Sequence, residues 1–174
     1  MNGGKPAAFD SVAAFFAQAL AIEVEAAERY TLLADQMEVH NNKEIAAIFL
    51  KMAAIESEHR REIVRRAGDT LPTGIPADVS WTNPDGPEAI AFEDVHYLMT
   101  PRQALLLARF NEERAARYFE SIAASATDPR ISAFAAEMAT DERLHVSWVD
   151  QWLETFAADE LDRADDPDPP VYSE

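Results

Sequence analysis

A chain of 174 residues, 48 % apolar and 27 % charged, is long enough to form one domain with a buried core. It contains no cysteine, which excludes disulfides, thiolate zinc sites, cysteine nucleophiles and iron–sulfur or rubredoxin-type centres. Its formal charge of −17, from 32 acidic against 15 basic residues, repels nucleic acid and anionic membrane, so neither is an expected partner.

Only five glycines occur and alanine is abundant, a composition that favours helix because alanine loses no side-chain entropy there. The spacing of apolar residues predicts four long helices. The first follows Asp10-Ser11, a capping pair, and runs to about Val39, with Phe16, Ala19, Leu20, Ala26, Ala27, Tyr30, Leu33 and Met37 on its apolar stripe. His40-Asn41-Asn42 turns the chain into a second helix, about Lys43 to Ala67, whose inward residues are Ile45, Ile48, Phe49, Met52, Ile55, Ile63 and Val64. It stops at Gly68-Asp69. Residues 69–100 then carry breakers such as Leu71-Pro72-Thr73-Gly74-Ile75-Pro76 and Asn83-Pro84-Asp85-Gly86-Pro87, with room for a short helical turn near Phe92–Leu98. A connection of this length reads as a crossover along a bundle.

The third helix opens at Thr100-Pro101, a cap followed by proline at the first helical position, and continues to about Ser125. Thr127-Asp128-Pro129 leads into the fourth, which ends near Phe156. Residues 1–158 therefore read as an all-α four-helix bundle of two helical hairpins. Residues 159–174 are an acidic, proline-rich tail expected to lie loosely on the surface. No stretch is apolar enough to span a membrane, and Met-Asn-Gly-Gly-Lys-Pro does not read as a secretion signal, so a cytoplasmic location is expected.

The hairpins repeat. Glu23, Ala26, Tyr30 and Leu33 in the first helix match Glu112, Ala115, Phe119 and Ile122 in the third at the same offsets. Met52 precedes Glu56 and His59 in the second helix as Met138 precedes Glu142 and His145 in the fourth. An E-x-x-H places one carboxylate and one imidazole on the same side of a helix, where both can approach one metal. A lone instance is weak evidence, but two at matching places in a duplicated hairpin are not. Glu23 and Glu112 lie on apolar stripes, and a buried carboxylate is costly unless neutralised or bound to a cation. Together the six residues describe four carboxylates and two imidazoles around two divalent cations. Oxygen-rich sites with one imidazole per metal suit iron or manganese, with zinc a possible substitute. Glu113 adjoins Glu112, and aligning Tyr118 with Tyr30 would instead put Asn111 in the ligand place; the more apolar stripe favours Glu112.

These hairpins resemble the ferritin-like superfamily, in particular the rubrerythrin-like di-iron proteins. The resemblance rests on Ala21-Ile22-Glu23 with Arg29-Tyr30, and on Phe49-Leu50-Lys51-Met52-Ala53-Ala54-Ile55-Glu56-Ser57-Glu58-His59, and spans about residues 12–67 and 100–156. It implies a ferritin-like four-helix bundle with Glu23, Glu56, His59, Glu112, Glu142 and His145 as iron ligands, Glu56 and Glu142 as bridges, and Tyr30 as a hydrogen-bond donor to a ligand carboxylate. Two departures stand out. The family proper carries a cysteine-bearing rubredoxin domain that this chain lacks, so electrons must come from a separate carrier protein. It also places a further carboxylate three residues after the helix 3 ligand, where Ala115 stands here.

The expected chemistry is redox turnover at a di-iron centre, with Glu23, Glu56, Glu142 and Tyr30 around a reaction that reduces hydrogen peroxide or dioxygen. The alternative is iron oxidation or storage. A homo-oligomer, at least a dimer, is expected in either case. Glu25, Glu28, Glu58, Glu137 and Asp141 read as surface carboxylates, His40 and His96 as structural or exposed, and Trp148 and Trp152 as core or interface anchors. Arg60, Arg61, Arg65 and Arg66 complement a helix C-terminus. No P-loop, dinucleotide fingerprint or nucleophile elbow is present.

Overall fold

Ser11 starts the first helix: held in an extended conformation, its hydroxyl accepts the Ala14 N–H at 3.1 Å, and α1 runs Val12–Val39. The computed structural model describes residue 9, residues 11–71 and residues 100–155. Asn41 turns the chain with φ of 57°, a left-handed conformation that asparagine tolerates, and the Asn42 side chain caps α2, Lys43–Ala67. Gly68, also left-handed at φ 50°, ends α2 and passes into a single 3-10 turn over Gly68–Thr70. Thr100 and Gln103 form a reciprocal capping box, at 3.2 and 2.8 Å, with proline at the start of α3, Pro101–Ser125. The Asp128 carboxylate accepts the Arg130 N–H at 2.8 Å where α4, Pro129–Thr155, begins. Replacing Thr100 with alanine leaves the Gln103 N–H of α3 short of its acceptor. It should lower the unfolding free energy by about 1 kcal/mol, read as a shifted urea midpoint at unchanged slope.

The closest packing is within each hairpin, α1 on α2 and α3 on α4. Two apolar clusters form the core. One holds Tyr30, Leu33, Met37, Ile45, Phe49 and Met52 against Ala104, Leu105, Ala108 and Val149. The other holds Phe15, Ile22 and Ile63 against Phe119, Ile122, Phe134 and Met138. The end of α2 belongs to the second cluster and the start of α3 to the first, so the two helix ends lie at opposite ends of the bundle. That is the arrangement a hairpin–crossover–hairpin order requires. The crossover from residue 72 to 99, the helical turn expected at Phe92–Leu98, and the tail lie outside the described residues. Among the described residues no helix is long and apolar enough to cross a membrane.

The apolar stripes point inward with one exception. Val64, expected inside, is 46 % exposed. The inward line of α2 passes through Glu56, His59, Ile63 and Ala67, all buried, and Val64 stands one residue, about 100°, off that line. Phe16, Ala27 and Ile55 are only partly buried, flanking the stripe rather than centring it.

Candidate metal centre

Each hairpin brings three chemical groups to the middle of the bundle, between the two apolar clusters. α1 supplies Glu23 and α2 supplies Glu56 and His59; α3 supplies Glu112 and α4 supplies Glu142 and His145. Their exposures are 0, 1, 9, 1, 0 and 3 % respectively. The i,i+3 spacing puts each glutamate and histidine of an E-x-x-H on the same side of its helix, so the imidazoles of α2 and α4 meet with ring centroids 4.4 Å apart.

Both rings turn Nδ1 toward the carboxylates. His59 Nδ1 lies 3.4 Å from Glu23 Oε2, 3.9 Å from Glu56 Oε2 and 3.1 Å from Glu142 Oε1. His145 Nδ1 lies 3.1 Å from Glu112 Oε2 and 3.3 Å from Glu142 Oε2. Glu142 therefore reaches both imidazoles, one with each oxygen. Ligand atoms from Glu56, His59, Glu142 and His145 all lie within 4.8 Å of one another, a group able to hold a metal ion.

The electrostatics are those of crowded carboxylates out of water. Burial pushes the Glu23 carboxyl up, only partly offset by His59, and pushes Glu112 up to about 7 against the pull of His145. Burial works against protons on the rings, yet Glu142 and Glu23 hold His59 at about 11, and Glu112 and Glu142 hold His145 at about 9. Glu142 is also penalised by burial, but the two histidines outweigh this and hold it near 2. Even so, the polar atoms are not satisfied. Both oxygens of Glu23, both of Glu142 and Nδ1 of His59 find no well-formed hydrogen bond among the described residues. Native interiors rarely leave such atoms stranded. An oxygen-rich donor set with two imidazoles, inward-facing and short of partners, fits a pair of hard or borderline divalent cations.

Of the helix 3 alternatives, only Glu112 turns a carboxylate into the cluster. Glu113 is partly exposed and pairs with Arg109 at 3.3 Å and Arg117 at 3.0 Å. Asn111, though buried, donates its amide to the Leu107 carbonyl at 2.9 Å. The Tyr30 hydroxyl donates to Glu112 Oε1 at 3.1 Å, across from α1 to α3. By the internal repeat the partner of Tyr30 is Phe119, not Tyr118, and a phenyl ring has no such proton to give. The two halves of the cluster thus differ: both Glu112 oxygens are engaged, one by Tyr30 and one by His145, while those of Glu23 are not.

Three of the five carboxylates read as surface groups are occupied elsewhere. Glu25 pairs with Arg29, Glu58 with Arg61, and Glu137 with Arg66. Arg65 and Arg66 also reach Glu62 at the end of α2. His40 is exposed at the end of α1, and His96 lies outside the described residues. Trp148, read from the sequence as a core or interface anchor, stacks on His145 with centroids 5.1 Å apart and planes 29° from parallel. The signal was available, since Trp148 follows His145 by three positions and so shares its helix face.

Comparison with known proteins agrees with this picture. The Rubrerythrin family model matches residues 14–80, the hairpin that carries Glu23, Glu56 and His59. A solved structure of an uncharacterized conserved protein from Magnetospirillum magnetotacticum MS-1 is 42 % identical to this chain, with a TM-score of 0.61. The match covers 83 % of this chain and 95 % of that one. A search of curated proteins finds no match.

Proposed function

The chain belongs to the rubrerythrin family, and from that footing we propose that its six buried side chains hold two iron ions and that it reduces hydrogen peroxide or dioxygen with electrons delivered by a separate carrier protein. The observation that carries the proposal is the cluster itself: four carboxylates and two imidazoles, buried and turned inward, with the oxygens of Glu23 and Glu142 and Nδ1 of His59 short of well-formed hydrogen bonds. Glu23, Glu56 and His59 would hold one ion, Glu112, Glu142 and His145 the other, with Glu56 and Glu142 shared between them. Iron so bound would supply redox change at two neighbouring centres, matching the two electrons that take hydrogen peroxide to water or dioxygen to peroxide.

The side chains have separate tasks. Glu142, with an oxygen toward each imidazole, ties the halves together. Tyr30 fixes the orientation of Glu112 through its hydroxyl, leaving the remaining lone pairs of that carboxylate for a cation. Met52, Met138 and the apolar clusters above and below keep bulk water from the carboxylates. These 174 residues hold no cysteine, so a rubredoxin-type electron donor would lie outside them.

One observation favours a second reading, oxidation of iron for storage or transfer. Ala115 is fully buried one turn after Glu112, where the family carries a further carboxylate. Its methyl offers no additional ligand for an ion that changes coordination during turnover. The two readings share the site and differ in the fate of the metal.

The test is elemental analysis of anaerobically purified protein, then absorbance during addition of peroxide or oxygen. About two iron ions per chain and a spectral change that an added reductant reverses, with iron retained, are the expected results. Iron that leaves after oxidation supports the storage reading, and sizing the protein in solution then separates a dimer from a many-subunit shell. Iron-loaded protein that shows no spectral response to either oxidant excludes both.

A further inference from the structure

The two faces of the centre are closed to different degrees. On the α1–α3 side, Glu23, Ala26, Tyr30, Ala108, Glu112 and Ala115 are all buried, and the Tyr30–Glu112 hydrogen bond crosses the seam. On the α2–α4 side the cover is thin. His59 is the most exposed of the six site residues, at 9 %, and its ring stacks on His145, which stacks in turn on the partly exposed Trp148. One turn further along, Lys51 of α2 reaches over the Trp152 ring of α4 at 5.3 Å. Here α2 and α4 meet through side chains, and His59 is the site residue with the greatest exposure to solvent.

We infer that ions and small oxidants reach the centre through the seam between α2 and α4, and that the Trp148 indole is the wall that limits the size and speed of what passes. The indole is large, stiff and packed flat on a site imidazole, so truncating it opens space beside His145 without removing any of the six site groups. A wall and a clamp have different kinetic signatures. Removing a wall lowers one barrier for entry and exit alike, so both rates rise and the equilibrium affinity does not move. Removing a clamp on His145 weakens the bound state, so only the exit rate rises and the affinity falls.

The inference rests on the reading that the six side chains bind metal, so the test uses zinc or cobalt, which need no redox turnover. Entry is followed by stopped-flow addition of the ion to metal-free protein. Exit is followed by transfer of the ion to a small and to a bulky chelator. Affinity is measured separately by competition. For Trp148→Ala, entry and exit should both accelerate about tenfold or more at unchanged affinity, with the larger gain for the bulky chelator. Trp148→Phe, which keeps an aromatic ring, should lie between, and it decides the matter if the alanine variant does not fold. Faster exit alone with weaker affinity overturns the wall and leaves a clamp, and unchanged rates overturn the route. If the wild-type protein binds no metal, the reading of the site fails instead, which is a separate result.

Discussion

Glu142→Ala should strip the protein of both ions, whereas His59→Ala should leave about one per chain. The difference follows from reach. Glu142 points one oxygen at His59 Nδ1, 3.1 Å away, and the other at His145 Nδ1, 3.3 Å away, so its loss withdraws a donor from both halves at once. It also withdraws one of four negative charges that balance two divalent ions. Losing a partner that merely orients a ligand costs about ten- to a hundredfold in affinity, so loss of a shared ligand should exceed that at both positions. His59 contacts Glu23, Glu56 and Glu142 but serves only its own end of the site, leaving Glu112, Glu142 and His145 in place. Metal content per chain after exhaustive dialysis reads the result, with helicity by circular dichroism as the check on folding. Two ions retained in Glu142→Ala would falsify the shared role and place any bridging on Glu56.

Much of this was legible in the sequence because helices report themselves through local rules. Ser11, Asn42 and Thr100 act as caps where their side chains suit it, and the helix ends fall within about a residue of expectation. The duplicated hairpin carries the site: offsets shared by Glu23 and Glu112, and by the two E-x-x-H motifs, put six polar groups on inward stripes by sequence alone. What periodicity could not resolve was a rotation of about 100°, the angle between neighbouring residues. Apolar spacing sets Val64 inward beside Ile63, and it leaves Glu113 as an alternative to Glu112 for the same reason. Tyr30 bonding to Glu112 rather than to a carboxylate of its own hairpin depends on how α1 meets α3, a tertiary distance that no single-helix pattern encodes. The stacking of Trp148 on His145 was within reach of the i,i+3 rule but looked like ordinary core aromatics.

The same geometry implies that the site works against the fold when empty, and the prediction that tests this has the opposite sign with and without metal. Glu23 is fully buried, burial raises its pKa, and neither of its oxygens has a well-formed hydrogen bond. Replacing a whole buried ion pair by apolar side chains is often stabilising, by about 1–4 kcal/mol, whereas removing one needed partner is costly. Glu23 is the surplus carboxylate, because His59 keeps Glu142 at 3.1 Å. Glu23→Met keeps the length of the side chain and fits between Ala19 and Ala26, so in metal-free protein it should raise the midpoint of thermal unfolding. For a chain of this size about 1 kcal/mol corresponds to a rise of roughly 2–4 °C. With a divalent ion at about a thousand times its dissociation constant, the wild-type protein gains about 4 kcal/mol from binding to the folded state alone. The variant, lacking a ligand, gains far less. The order of the two melting temperatures should therefore invert on adding metal: the variant higher without it, the wild type higher with it. A variant that melts below wild type under chelation would show that the Glu23 carboxylate is stabilised in the empty fold, and the strain assigned to the cluster would then be absent.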